Sequence, residues 1–501
     1  MGPPNPRVSA ARLAELLGDW RTGGPANERL ATGIRSLILD GRLGVQTQVP
    51  PERGLAKELR LGRNTVTAAY ARLRDDGYLV SRQGSGTVTT LPVGHRFSGD
   101  TTVPPTVRFD LTVAALSAPV EMGEAVSAAQ GDLSRWLDHH GYNPFGMPPL
   151  RSELALRYTA RGVPTTADEI LVTNGALHAL HLIIAALVQP RDNVAIETPT
   201  YPAALDLLGA SRARMFPTPV VGLGWDEEQL RSVFQRTNPR LAYFIADFHN
   251  PTGALMPESV RGLVGSLAAR AGTFLVVDET SLDLAIDDVE SPSPLTTLDR
   301  RHSLNVGSMS KGYWGGLRVG WIRASPGVLE VIVRARAVTD MAGPVLDQLV
   351  ALHLLRNSAV IISARRDEAR LRRDTMLAAL RRHLPNWKVT PPKGGLSLWV
   401  ELPLPSATAL AGRALRQGIL LTPGPRFAPD DVTHERYLRV PYSLAPEQLM
   451  EAISALAEVA GEAGETDRRP EPPVLGYSAT EGPASCRPTT PGSRVVGATS
   501  S

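Results

Sequence analysis

Four short continuous apolar runs lie along the middle of this 501-residue chain, at Val194 to Glu197, Leu241 to Ala246, Phe274 to Asp278 and Leu304 to Gly307. Amphipathic segments such as Pro257 to Ala271 separate several of them. A strand that is apolar on both faces must be covered on both faces. The alternation therefore predicts a mainly parallel sheet between layers of helices. Ligand chemistry in such sheets gathers at the carboxyl ends of the strands, so the residues just after each run are the first candidates for a site. The length exceeds what one small core accommodates and predicts two or three domains.

Several classes are set aside early. A single cysteine, Cys486, excludes an internal disulfide framework and fits a reducing cytoplasm. The chain opens MGPPNPRVSA, without the basic and then apolar segment of a secreted precursor. Its longest apolar stretch, around Leu177 to Val188, is short and broken by His178 and His181, so no membrane span is expected.

Charge is uneven. Residues 1–96 hold 14 Lys/Arg and 8 Asp/Glu, a net +6, while the remainder carries −3. A basic terminal segment is suited to nucleic acid, although many basic segments never meet it. Within it, Leu30, Ile34, Leu37 and Ile38 fall on one helical face. Pro50-Pro51 sets up a short helix over about 52–59, and Arg60-Leu61-Gly62 turns into a third over about 63–76, with Val66, Ala69, Tyr70 and Leu73 inward. Arg63, Asn64, Thr67 and Arg74 are left on the outer face. Tyr78 to Val88 reads as two β-prone runs about Gly84-Ser85-Gly86. The stretch from Pro50 to Thr87 resembles the winged helix-turn-helix of the GntR family. That resemblance implies double-stranded DNA as a partner and Arg53, Arg63, Thr65 and Gly84 as contacts. Gly62 stands where relatives often carry Ser or Thr.

The chain has only four lysines, Lys57, Lys311, Lys388 and Lys393, against 49 arginines. Arginine stays charged, whereas a desolvated lysine loses its proton and condenses with carbonyls. Lys311, in Gly307-Ser308-Met309-Ser310-Lys311, follows the last apolar run. Asn174-Gly175-Ala176 precedes a helical segment and presents free N–H groups suited to a phosphate. Tyr201 follows the first run, and Asn250-Pro251-Thr252-Gly253 follows the second. Asp278 closes the third, where a carboxylate needs a cation or donors. Ser308, Ser310 and Arg318 are donors suited to a phosphate ester. Each motif alone also fits a plain structural role, as a turn, a helix start or a buried tyrosine.

In this order, with Tyr142-Asn143-Pro144 before them and Arg439 after, the motifs resemble a class I aminotransferase of fold-type I over about 110–460. The resemblance implies pyridoxal 5'-phosphate joined to Lys311 as a Schiff base. It further implies Asp278 on the pyridine nitrogen, Asn250 on the ring hydroxyl and Tyr201 stacked on the ring. Gly175, Ala176, Ser308, Ser310 and Arg318 would hold the phosphate, with Tyr142 reaching it from the other subunit. Arg439 would bind an effector carboxylate. No metal is expected. Relatives commonly carry a tyrosine two residues after the aspartate; here that residue is Thr280, too short to copy the phenol.

Taken whole, the chain resembles the MocR/GabR regulators. The expected organisation is a winged helix-turn-helix domain over 1–92 (core 26–90), a linker over 93–110, an α/β aminotransferase-like domain of large and small subdomains over 111–463, and a disordered tail over 464–501. The expected function is a cytoplasmic transcriptional regulator that senses pyridoxal phosphate, or an amine or amino acid, and works as a head-to-tail homodimer. Transamination is expected to be weak at most. The alternative is an active aminotransferase with an accessory DNA-binding module.

Overall fold

The computed structural model describes residues 7–18, 20, 25–39, 43, 47–82, 86–90, 106–222, 224–289, 292–296, 300–403, 407–430 and 433–467. Its amino-terminal unit comprises α1 (Ala10–Leu17), α2 (Ala26–Leu39), α3 (Glu52–Leu59) and α4 (Arg63–Asp75), followed by the antiparallel strands β1 (Leu79–Arg82) and β2 (Gly86–Thr89). The apolar residues that define the helical period are all buried in one cluster. Leu30 and Ile34 of α2 meet Leu55 and Leu59 of α3, and Val66, Tyr70 and Leu73 of α4. Helix α1, which the periodicity did not single out, adds Leu13 to the same core. Arg60 turns the chain at φ 53°, and Gly62 caps α4 without a side-chain hydrogen bond.

The outer face of α4 is less open than its pattern suggests. Arg63 and Asn64 are exposed, but the Thr67 hydroxyl donates to Glu52 at 2.7 Å, and Arg74 lies 3.8 Å from the same carboxylate. Thr65 is half-buried and Arg53 is exposed. Gly84 lies outside the described residues.

The second part opens with β3 (Phe109–Leu111), so ordered sheet begins two residues inside the segment expected to be linker. Next along the chain come β4 (Ile170–Thr173), β5 (Asn193–Thr198), β6 (Arg214–Val221), β7 (Gly224–Trp225), β8 (Leu241–Phe244), β9 (Phe274–Asp278), β10 (Ser303–Ser308) and β11 (Gly320–Arg323). These eight form one sheet in the order β4-β11-β10-β9-β8-β5-β6-β7. Its centre, from β10 through β9, β8 and β5 to β6, is parallel, as the apolar runs require. Both edges are antiparallel, through β11 with β4 on one side and β7 on the other. Helices cover both faces of this sheet, burying Leu180 and Ile183 on one side and Leu263 and Leu267 on the other.

A smaller sheet combines β12 (Lys388–Val389), β13 (Ser397–Glu401), β14 (Ile419–Pro423) and β15 (Tyr437–Pro441) with β3, in the order β12-β13-β15-β14-β3. Helices Ser358–His383 and Pro446–Asp467 pack over it through Met376, Leu380, Ile453 and Leu456. The last helix runs four residues beyond the expected end of the domain at 463, and the remaining tail, 468–501, lies outside the described residues. Among the described residues no single helix is long and apolar enough to cross a membrane. The winged helix rests on its own chain, where helix Ala407–Arg416 inserts Ala409 into the winged-helix core.

One strand in from the β4 edge of the large sheet, Gly307 of β10 pairs with Trp321 of β11, and a Cβ on Gly307 would stand 2.2 Å from the indole. Gly307→Ala must displace that ring or bend the strand, at a cost of about 1–3 kcal/mol. A lowered thermal transition of the large-sheet domain, with the winged-helix domain unchanged, is the expected result in a differential melt.

Candidate functional site

The candidate residues meet at the carboxyl ends of the central strands. Register explains why: Ser308 at the end of β10 faces Gly320 of β11, which in turn faces Thr173 at the end of β4. The segments after β4 and β10 and before β11 are thereby stacked side by side. Gly320 permits this closeness, since a Cβ there would lie 2.5 Å from the carbonyl carbon of Gly175. Gly175, at φ 89°, likewise leaves room for the Arg318 guanidinium, whose Nη2 donates to the Asn174 carbonyl at 3.1 Å. Behind the loop, fully buried Arg336 donates to the carbonyls of Pro144 and Val172 and pairs with Asp340, which accepts from Asn174 Nδ2 at 2.6 Å.

A cavity of about 270 Å³ opens there. Nine expected residues line it: Ala176, Tyr201, Asn250, Asp278, Ser308, Ser310, Lys311, Arg318 and Arg439. Gly175 stands behind Arg318 and does not line it. Tyr142 is 58% exposed and also outside the lining.

Lys311 Nζ donates to the Ala114 carbonyl at 2.5 Å. Burial first, and the Arg439 guanidinium second, pull its pKa down to about 8 against the opposing pull of Asp278. Such an amine is partly neutral near neutral pH and can attack a carbonyl carbon. Arg439 is buried, its Nη2 donates to the Thr112 carbonyl, and burial brings its pKa down to about 10. Its Nε and the Asn250 side-chain oxygen are both buried with no hydrogen-bond partner. Ser308 Oγ donates to Ser310 Oγ at 2.9 Å and accepts from the Ser310 amide at 3.1 Å.

Asp278 has found donors rather than a cation. The Thr280 amide donates to Oδ1 at 2.9 Å and the Tyr243 phenol to Oδ2 at 2.7 Å. Tyr243 was not among the expected site residues, and nothing in the run Leu241-Ala242-Tyr243-Phe244 of β8 marks it. Burial, and then the Asp278 charge, push its pKa well up, so it stays a donor. Glu279 is pinned by Tyr158 at 2.8 Å and Arg161 at 3.0 Å, which fixes the turn carrying Thr280 into the cavity. Sequence reasoning also passed over Glu197, fully buried, which accepts from Trp225 Nε1 at 2.6 Å and the Ile245 amide at 2.7 Å. His249, on the cavity wall, holds its Nε2 3.3 Å from that carboxylate.

A buried amine of lowered pKa, a carboxylate at the strand end and a group of anion donors thus face one cavity. Residues 122–456 match the model of aminotransferase class I and II. The chain belongs to that family. Residues 26–88 match the bacterial regulatory proteins of the gntR family. The protein is thus a GntR-type regulator fused to an aminotransferase-like domain. It is 27% identical to YdfD, an uncharacterized HTH-type transcriptional regulator of Bacillus subtilis, over 86% of this chain and 95% of that one. A 2-aminoadipate transaminase of Thermus thermophilus is 31% identical over 63% of this chain and 80% of its own length. The crystal structure of the aminotransferase LysN from Thermus thermophilus, complexed with N-(5'-phosphopyridoxyl)-L-leucine, superposes with a TM-score of 0.65 at 27% identity, covering 72% of this chain and 94% of that one.

Tyr243→Phe leaves one oxygen of a buried carboxylate without its donor, a loss of about 1–3 kcal/mol. The expected outcome is a lower melting temperature of the aminotransferase-like domain; an unchanged melt would mean that another donor takes over.

Proposed function

We propose that this protein is a transcriptional regulator that binds an operator through its winged helix and pyridoxal 5'-phosphate through Lys311, and that it senses the cofactor or an amine or amino acid that reacts with it. One observation carries the reading. A single chain joins a winged helix whose α4 exposes Arg63 and Asn64 to a cavity in which a lysine of lowered pKa stands with an orphaned amide oxygen and an orphaned guanidinium nitrogen. The donor set fits the cofactor. Arg318, Ser308, Ser310 and the start of the helix at Ala176 beside Gly175 suit the phosphate, Asp278 the pyridine nitrogen, Asn250 the ring hydroxyl and Tyr201 the ring face. Arg439 suits a carboxylate.

Bound there, the cofactor supplies an aldehyde carbon that condenses reversibly with primary amines. Lys311 would provide the resident amine, and Asp278, with both oxygens fixed by Tyr243 and Thr280, would hold the pyridine nitrogen. Arg439 orients an incoming acid. Thr280 presents no phenol to the ring hydroxyl, which favours ligand exchange at Lys311 over rapid turnover.

Tyr142 belongs, in this reading, to the partner's site in a head-to-tail homodimer. Its exposure, with that of Val338 and Met341, supports the assignment. Arg53, Arg63, Thr65 and Gly84 are the proposed DNA contacts, and the cytoplasm is the compartment in which such an operator is met. A second reading, an active aminotransferase, is favoured by the likeness to the 2-aminoadipate transaminase. Sustained keto-acid production from common amino acids over many turnovers would select it.

Borohydride should fix pyridoxal phosphate covalently onto the wild-type protein and leave Lys311→Ala unlabelled. Labelling of both to the same extent would remove Lys311 from the role. Because the neutral amine is the nucleophile, capture of added cofactor by the apoprotein should quicken as pH rises toward about 8 and level off above it. Arg63→Ala should weaken operator binding and lower the slope of log affinity against log salt by about 1.

A further inference from the structure

We propose that helix Ala407–Arg416 and the turn at Glu435 form a seat for the chain's own winged helix, and that this seat couples the cavity to the position of the recognition helix. The proposal rests on the regulatory reading above and specifies how it is carried out.

The contact is built rather than incidental. Ala409, 1% exposed, lies in the same buried cluster as Leu30, Tyr70 and Tyr78. Arg416 Nη1 donates to the carbonyl of Asp75, the last residue of α4. The Tyr78 ring is fully buried, and Glu435 and Arg413 of the effector domain are near enough to act electrostatically on its phenol, as Arg35 of α2 does from the other side. Glu435 also fastens the start of the seat helix. Its carboxylate accepts from the Thr408 amide at 3.0 Å and the Thr408 hydroxyl at 2.6 Å, and its carbonyl accepts from the Ala407 amide at 2.9 Å.

The same turn reaches the cavity by two short routes. Glu435 comes two residues before β15, which carries Arg439 into the cavity. His434 Nε2 lies 3.2 Å from the hydroxyl of Thr198, which ends β5 and leads to Tyr201. Aromatic rings brace the turn: Trp399 stacks on Tyr437 at 5.1 Å and meets His434 and Phe427 edge-on, and the Arg439 guanidinium lies 5.3 Å over Phe427. A ligand that moves Arg439 or Tyr201 therefore acts on the turn that carries Glu435, through His434 and Tyr437 on either side of it.

Arg63 and Asn64 remain exposed with the unit seated, so the seat does not mask the DNA face. What it sets is where α4 stands. In a dimer the separation of two recognition helices selects the half-site spacing. A ligand regulates by this route only to the extent that it binds one seated arrangement more tightly than another.

Hydrogen exchange on the full-length protein tests this, first with pyridoxal phosphate alone and then with the common amino acids added, while absorbance reports cofactor occupancy. The expected result is a change of about five-fold or more in exchange of amides 75–79 and 407–416 in the wild type. That change should disappear in Glu435→Ala and in Ala409→Arg, both retaining the wild-type cofactor band. Unaltered exchange at these segments while absorbance shows the ligand bound would overturn the coupling, as would a response that survives in both variants. Absence of any cofactor band in the wild type would instead overturn the reading of the cavity, and the seat's regulatory role with it.

Discussion

A carboxylate at the end of a buried strand sets the terms for the rest of the effector domain. Asp278 closes β9 after four residues with no polar side chain, where an ion without partners is prohibitively costly. Its two oxygens are met by a phenol from the neighbouring strand and by an amide two residues on, both neutral donors. Those bonds fix the direction of the carboxylate at the cavity wall. A cationic ring nitrogen brought to that point would meet a buried carboxylate, where electrostatic attraction is stronger than in water. The Glu279 anchor to Arg161 and Tyr158, the close strand contact at Gly320 and the buried Arg336 behind Asn174 all hold the cavity walls still around that charge.

Much of this was legible because the residues that speak most clearly are under local constraint. The winged helix follows from helical period and turn chemistry, and its helices fall within a residue of their expected bounds. The parallel centre of the sheet follows from strands apolar on both faces. Seven of the nine expected cavity residues lie at or just beyond a strand end or at a helix start, whereas Arg318, before β11, and Arg439, inside β15, carry no such local mark.

What stayed hidden depends on contacts between distant segments, for which a single sequence has no local mark. Tyr243 looks like any strand residue until β9 is laid beside β8. Thr67 looks like a groove-facing residue until Glu52, fifteen positions earlier, takes its hydroxyl. Residues 109 and 110 look like linker because a three-residue strand is too short to display alternation, and only β14 makes it one. Helix Ala407–Arg416 reads as an ordinary amphipathic segment, yet one small residue on it is buried in another domain. The small side chain is what permits that close approach.

The scarcity of lysine has a practical side. Aldehydes and other amine-seeking reagents usually decorate a protein surface at many points, which obscures a specific adduct. In this chain the competing side-chain amines are confined to Lys57, Lys388 and Lys393, and none of these lines the cavity. Lys388 lies on a strand with its side chain 80% exposed, 3.9 Å from Glu401, and Lys57 is on the surface of α3. The protein therefore presents an almost silent chemical background, against which a covalent signal from the buried amine can be read by mass alone.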